Sequence, residues 1–232
     1  MWTAGTVACC RTALGVLLLS LAACTPQQML LSALVPDGTA SVLLGNLRGI
    51  ADANRWQVAE LEQSGDWPAL AAFAERNISR DPFSAEWRLV AGYAASRLGD
   101  HRAAAGHYGE MLRLAPDDPA GYRLLAGAQH ASGDPRRAMR TLEQGLLVGG
   151  ESALTLALLG DVRADAGELE AARSAYRRAL TLSPRLEPAW WGEGRLALRM
   201  GRLDEARRAA ALLRDMNSPR GEELERLIAG SR

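Results

Sequence analysis

The chain has 232 residues, enough for one or two domains, and its 48% hydrophobic content argues against disorder. Its 27 basic and 27 acidic residues cancel, which argues against a nucleic-acid binder relying on phosphate neutralisation. All three cysteines, Cys9, Cys10 and Cys24, lie near the amino terminus, so the body of the chain has no disulfide framework and no cysteine metal cluster, a usage that suits an oxidising compartment.

Residues 1–23 carry one charge, Arg11, followed by an apolar run over 13–23. That run is shorter than the ~20 residues a bilayer-spanning helix needs, and it matches the core of a secretory signal peptide. It ends Leu21-Ala22-Ala23-Cys24, which resembles the bacterial lipobox. The resemblance implies that Cys24 is acylated, with palmitate among its chains, and becomes the first mature residue. Each buried CH₂ then contributes ~0.8 kcal/mol of membrane affinity, and several chains make a stable anchor. In envelope lipoproteins an Asp after the cysteine signals inner-membrane retention; Thr25 stands here instead, which implies the outer membrane, facing the periplasm. The alternative is an ordinary signal cut at an Ala-x-Ala-like site, with Cys24 incidental.

Residues 24–50 form a lipid-bearing tether and two predicted short helices. Residues 29–35 are apolar, Pro36-Asp37-Gly38 is a turn, and Leu43, Leu44, Leu47 and Ile50 recur at helical spacing. This segment is read as a cap on the leading edge of the main body of the chain, or as a docking or membrane-surface helix.

From residue 51 the chain repeats every 34 residues. Gly65, Gly99, Gly133, Gly167 and Gly201 form one column, and Ala104, Ala138, Ala172 and Ala206 a second. Pro82, Pro116 and Pro184 form a third with Gly150 in the gap, Tyr108, Leu142 and Tyr176 a fourth, and Gly92, Ala126, Gly160 and Gly194 a fifth. A period of this length denotes helix–turn–helix units stacked into a solenoid. Five units are expected, at 51–84, 85–118, 119–152, 153–186 and 187–218, with a capping helix over 219–232. The glycines suit left-handed helix ends; Asp66, Asp100 and Asp134 are placed to cap the second helices; Pro135 suits a first helical position. The small residues admit close helix approach, the Tyr and Leu fill the space between, and Pro116 and Pro184 stop second helices.

These columns resemble the tetratricopeptide repeat (TPR) family. The unit at 153–186 matches best, with Leu159-Gly160, Gly167, Ala172, Tyr176, Ala179-Leu180 and Pro184 all in place. The resemblance implies an all-α, right-handed superhelix whose groove is lined by the first helix of each unit. Carried over position by position, the groove candidates are Leu89, Tyr93, Arg97, Arg123, His130 and Trp191, an aromatic-plus-Arg set of the kind found at binding hot spots. Trp191 is either part of that set or a plate covering the neighbouring repeat. Asp161 and Asp165 face Arg195 and Arg199 one unit on and are expected to neutralise each other. The Lys and Asn with which the chaperone-type subfamily grips a terminal carboxylate are absent.

No phosphate loop, His-Glu-x-x-His or nucleophile elbow is present. His101 and His107 are expected on the exposed surface. No catalytic residue, metal, cofactor, nucleic acid or small-molecule substrate is therefore expected. The resemblance implies a non-enzymatic scaffold that binds a protein or peptide, in outer-membrane protein, pilus or secretion-system assembly. A regulatory subunit of a peptidoglycan enzyme is the other reading.

Overall fold

The structure, a computed structural model, describes residue 47 and residues 49–231. The signal segment, Cys24 and nearly all of 24–46 lie outside the described residues. The described chain forms eleven α-helices and no strand. They pair as α1 (Asp52–Ser64) with α2 (Trp67–Arg80), α3 (Ala85–Arg97) with α4 (His101–Leu114), α5 (Pro119–Ala131) with α6 (Pro135–Gly149), α7 (Ala153–Asp165) with α8 (Leu169–Leu182), and α9 (Glu187–Arg199) with α10 (Leu203–Asp215). A lone helix, α11 (Pro219–Gly230), comes last.

Local chemistry sets these boundaries. The five turn glycines adopt φ from 70° at Gly65 to 89° at Gly133, where a Cβ would be strained. Asp66, Asp100 and Asp134 accept from the backbone N–H of Ala69, Ala103 and Arg137 at 2.9–3.0 Å, which satisfies a donor that the helix start leaves open. The second helices before Pro82, Pro116 and Pro184 end two residues earlier, at Arg80, Leu114 and Leu182. Gly150, in the same column, imposes no such stop, and α6 runs to Gly149. The last turn uses Asn217 at φ 56°, a residue that tolerates the left-handed region.

The packing columns are equally plain. Ala104, Ala138, Ala172 and Ala206 have no exposed surface. A Cβ on Gly92 would lie 2.6 Å from Tyr108 Cε1, and one on Gly160 would lie 2.5 Å from Tyr176 Cε1. Gly192 also presses on the Tyr176 ring, from the next repeat, a contact that no column announces. At the far end, Gly194 receives Leu224, which with Ile228 fastens α11 to the array. At the near end, Leu47 and Ile50 join the first hydrophobic cluster; the rest of the predicted cap lies outside the described residues.

The two halves are held differently. The first repeats interlock aromatic rings edge to face, Trp67 with Tyr93 at 5.8 Å and Phe73 with Trp87 at 5.4 Å, a geometry that adds to area burial. The later repeats are laced by Arg–carboxylate pairs between repeats: Arg173–Glu205 at 2.8 Å, Arg202–Glu170 at 3.3 Å, Arg185–Asp215 at 3.2 Å, and Arg178 with Glu151. Among the described residues, Arg–carboxylate pairs before residue 143 are local, three residues apart.

Candidate functional site: the first-helix face

Consecutive first helices lie side by side and bond across the repeats. The Tyr93 hydroxyl on α3 donates to Glu62 Oε1 on α1 at 2.9 Å. His130 Nε2 on α5 is 3.1 Å from Asp165 Oδ2 on α7. Arg199 on α9 donates to the Ala164 carbonyl at 2.8 Å and lies 3.9 Å from Asp165. These contacts tie α1 to α3, and α5 through α7 to α9.

The six residues expected to line this face separate into two groups. Leu89 is 9% exposed, Tyr93 4% and Trp191 5%. All three are core residues whose rings and methyls are spent on neighbouring repeats. Trp191 is the covering plate: it packs into the last cluster beside Leu213 and Leu224, with the Arg195 and Arg220 guanidiniums each 5.8 Å from its ring centroid. The small residues around it let the ring sink between α9 and its neighbours. Arg97 is held as well as exposed: its guanidinium stacks 4.1 Å above Trp67 and donates to the Tyr93 hydroxyl at 3.2 Å, a cation–π arrangement that fixes a long side chain. His130 is nearly buried and committed to Asp165, although its Nδ1 has no partner.

Arg123 behaves otherwise. It is half-buried on α5 and makes no ion pair or hydrogen bond among the described residues. Burial pushes its pKa down, opposed by the charge of Asp118. Arg195 on α9 is similar: half-buried, near Trp191, and without a hydrogen-bonded carboxylate. The expected mutual neutralisation is seen for Asp165 with Arg199, and the Arg195 charge favours the ionised forms of Asp161 and Asp165 without a hydrogen bond to either. Asp161 is engaged elsewhere, accepting from the Tyr176 hydroxyl at 2.7 Å. That bond joins a packing tyrosine to the functional face, and the 34-residue frame does not reveal it.

Burial pushes the Asp161 carboxyl up to about 6, against the lowering effects of the Tyr176 bond, Arg195 and His130. For an acid whose folded pKa lies above its unfolded value, the stabilising contribution is present at low pH and is lost as pH rises through about 6. Asp161→Asn keeps an acceptor for Tyr176 and removes the charge. It is expected to stabilise the protein by about 1 kcal/mol at pH 7.5 and by clearly less at pH 4.5. Thermal melts at the two pH values check this; equal shifts would show that Asp161 is not held against its charge.

His101 and His107 are half-buried rather than on the open surface. His107 lies 3.3 Å from Glu75, and burial pushes both imidazoles below their ordinary pKa. Among the described residues no group of three His, Cys, Asp or Glu could hold a metal ion, and no helix is long and apolar enough to cross a membrane.

A stack of helix pairs whose turns and packing residues recur every 34 residues defines a helical-repeat interaction scaffold. Three family models described as tetratricopeptide repeat match residues 67–119, 95–161 and 153–186, and the chain belongs to the tetratricopeptide repeat family. No curated protein matches it. Among solved structures it is similar to TTC0263, a thermophilic TPR protein of Thermus thermophilus, with TM-score 0.62 and 22% identity over 77% of this chain and 97% of that one. It is similar to PilW, a type IV pilus biogenesis factor, with TM-score 0.68 and 17% identity over 78% and 87%. A third is YrrB, a TPR protein with an unusual peptide-binding site, with TM-score 0.54 and 15% identity over 76% and 91%. At these identities the likeness is one of fold.

Proposed function

We propose that this protein is a lipid-anchored scaffold of the cell envelope that captures a protein or peptide segment on its first-helix face. In this reading Cys24 carries the acyl anchor, the outer membrane holds it, and the solenoid stands in the periplasm. The observation that carries the binding half is Arg123, half-buried on the first-helix face with no hydrogen-bonded acceptor among the described residues. The outer face offers a contrast: Arg136, Arg137, Arg177 and Arg178 are exposed to water. A cation already stripped of part of its hydration gains more from a ligand carboxylate than one still solvated. PilW is a pilus biogenesis factor and YrrB has a peptide-binding site, so assembly work and peptide capture are both uses of this fold, and pilus or secretion-system assembly is the setting proposed here.

Photo-crosslinking in intact cells tests the binding half. Probes at Tyr93 and Trp191 would disturb the core, so they belong at Arg195 and, as the control, at Arg177. A discrete crosslinked partner from position 195 and none from 177 is expected. The reverse pattern would put the binding face on the second helices. The anchor is tested separately: Cys24→Ser is expected to shift the protein from the outer-membrane fraction to a soluble or uncleaved form. A cleaved mutant that stays wholly with the outer membrane would remove the lipid anchor from the reading.

A further inference from the structure

The neutrality of the chain conceals a separation of charge. The five second helices carry 13 Arg and 7 acids, the five first helices 7 Arg and 8 acids. The excess is densest on α6, where Arg136, Arg137 and Arg140 stand with one acid, Glu143. Glu143 is held by Arg163 of α7 at 3.2 Å, and the capping Asp134 lies 3.5 Å from Arg137. Arg136 and Arg140 make no ion pair among the described residues. The buried side of α6 packs Ala138 and Leu142 with Ala126 of α5 and Leu158 of α7. Arg136, Arg140 and Leu147, at i, i+4 and i+11, share the opposite stripe, and all three are exposed. Leu147 is 86% exposed, more than any other large hydrophobic among the described residues, and Val148 beside it is also open to water. In the other repeats the place of Leu147 is held by Ser79, Arg113, Thr181 and Asp215, so an apolar residue there is no requirement of the repeat.

We infer that the outer side of α6 rests on an anionic bilayer, with Arg136 and Arg140 on lipid phosphates and Leu147 and Val148 in the boundary between headgroups and acyl chains. The two kinds of side chain ask for different surroundings. A guanidinium gains from a phosphate, and a leucine gains from leaving water. A bilayer surface presents both within ~5–10 Å of depth. Charge complementarity favours lipid of net negative charge, by about fivefold in occupancy for each Arg near the surface. Arg102, exposed on α4 at the place that Arg136 holds one repeat later, extends the row of cations. The reading of the chain as lipid-anchored supplies the bilayer, and the inference rests on it; what is added is the side of the solenoid that meets the lipid. Because α6 turns its buried side to α5 and α7, docking through the outer side points the first helices away from the membrane and leaves them open to a partner.

The experiment uses the mature full-length protein, reconstituted in vesicles of phosphatidylethanolamine with phosphatidylglycerol or of phosphatidylcholine alone. Past the signal segment the one cysteine is Cys24, which acylation blocks. Gln144→Cys, exposed on α6 between Arg140 and Leu147, therefore takes a single environment-sensitive fluorophore. Gln63→Cys, exposed on the first helix α1, is the reference. Lipids brominated on the acyl chain are expected to quench the probe at 144 and not at 63, and to quench it less in phosphatidylcholine. Arg136→Gln with Arg140→Gln is expected to lower docking about 25-fold with melting unchanged, and Arg136→Lys with Arg140→Lys to retain it. Leu147→Ser with Val148→Ser is also expected to return the probe to water. A probe at 144 no more quenched than the one at 63 overturns the proposal, as does quenching indifferent to both lipid charge and the arginine pair. So does a probe at 144 that stays in water on vesicles yet is shielded in whole envelopes, which puts a protein on this side instead. The mass of the mature chain reports acylation separately. A chain that lacks the anchor is given Cys24→Ser, added to the same vesicles from solution and read with the same probe, so a missing anchor and an undocked α6 are told apart.

Discussion

Replacing Ala172 with Trp is expected to unfold the fourth repeat and weaken both of its neighbours. Ala172 is fully buried on α8, enclosed by Ala164, Tyr176, Leu196 and the partly buried Leu169 and Met200. These atoms come from three successive helices, so an indole there has no direction in which to relax without parting α7 or α9. Overpacking a site of this kind costs ~1–3 kcal/mol or more, and in a solenoid the loss of the interface extends to the adjoining repeats as well. For a chain of this size each kcal/mol lowers the melting temperature by roughly 2–4 °C, so a fall of about 2–12 °C, with a broadened transition, is expected. Ala211→Trp on the exposed side of α10 is the control and should stay within ~0.5 kcal/mol of the parent. Equal melting of the two variants would mean that the alanine column does not mark the contact between helices.

The second large effect is a reversal of sign. A glycine inside a helix normally costs ~0.5–1 kcal/mol relative to Ala. Gly106, on α4, has nothing within 4 Å of the place its Cβ would occupy, so Gly106→Ala should stabilise the protein by about that amount. Gly160 is also helical, but its Cβ would lie 2.5 Å from Tyr176 Cε1 and 2.8 Å from Cζ. The ring cannot yield, because Gly192 also presses on it and Asp161 holds its hydroxyl. Gly160→Ala is therefore expected to destabilise by ~1–3 kcal/mol. The chain carries the compensated version of this pair: the third repeat has Ala126 with Leu142 where the fourth has Gly160 with Tyr176, and both Ala126 and Leu142 are completely buried. Gly160→Ala combined with Tyr176→Leu should regain most of the loss. Denaturant unfolding of the three variants reads these signs directly, and a stabilising Gly160→Ala would remove the packing role given to this column.

The scaffold was legible in the sequence because its rules are local and recur. A turn glycine, a capping Asp or a helix-stopping Pro acts on its own few residues, and in-register copies separate the rule from chance. The face was less legible, and particular residues show why. Leu89, Tyr93 and Trp191 hold groove positions by count, yet each is buried because the adjacent repeat leans onto it. Position within a repeat fixes direction, whereas accessibility depends on two other helices. The same limit hid the role of Arg195. Its neighbour Asp161 bonds to Tyr176, and only the fold brings that tyrosine to the back of the face. Gly192 belongs to no column and is intelligible only once the Tyr176 ring is seen against it. The cysteine on which the anchor depends, Cys24, lies outside the described residues, and its role rests on the lipobox pattern alone.

The uneven lacing of the solenoid makes it a composite rod. Its front portion is joined by rings and apolar side chains, an adhesion that weakens on cooling and strengthens in salting-out buffers. Its rear portion carries an ionic zipper from α6 onward, and exposed ion pairs fade as salt is added. The two ends therefore answer to different variables of the surrounding medium. Raised salt is expected to weaken the ion pairs of the rear, which there add to apolar packing, and to spare the edge-to-face rings of the front.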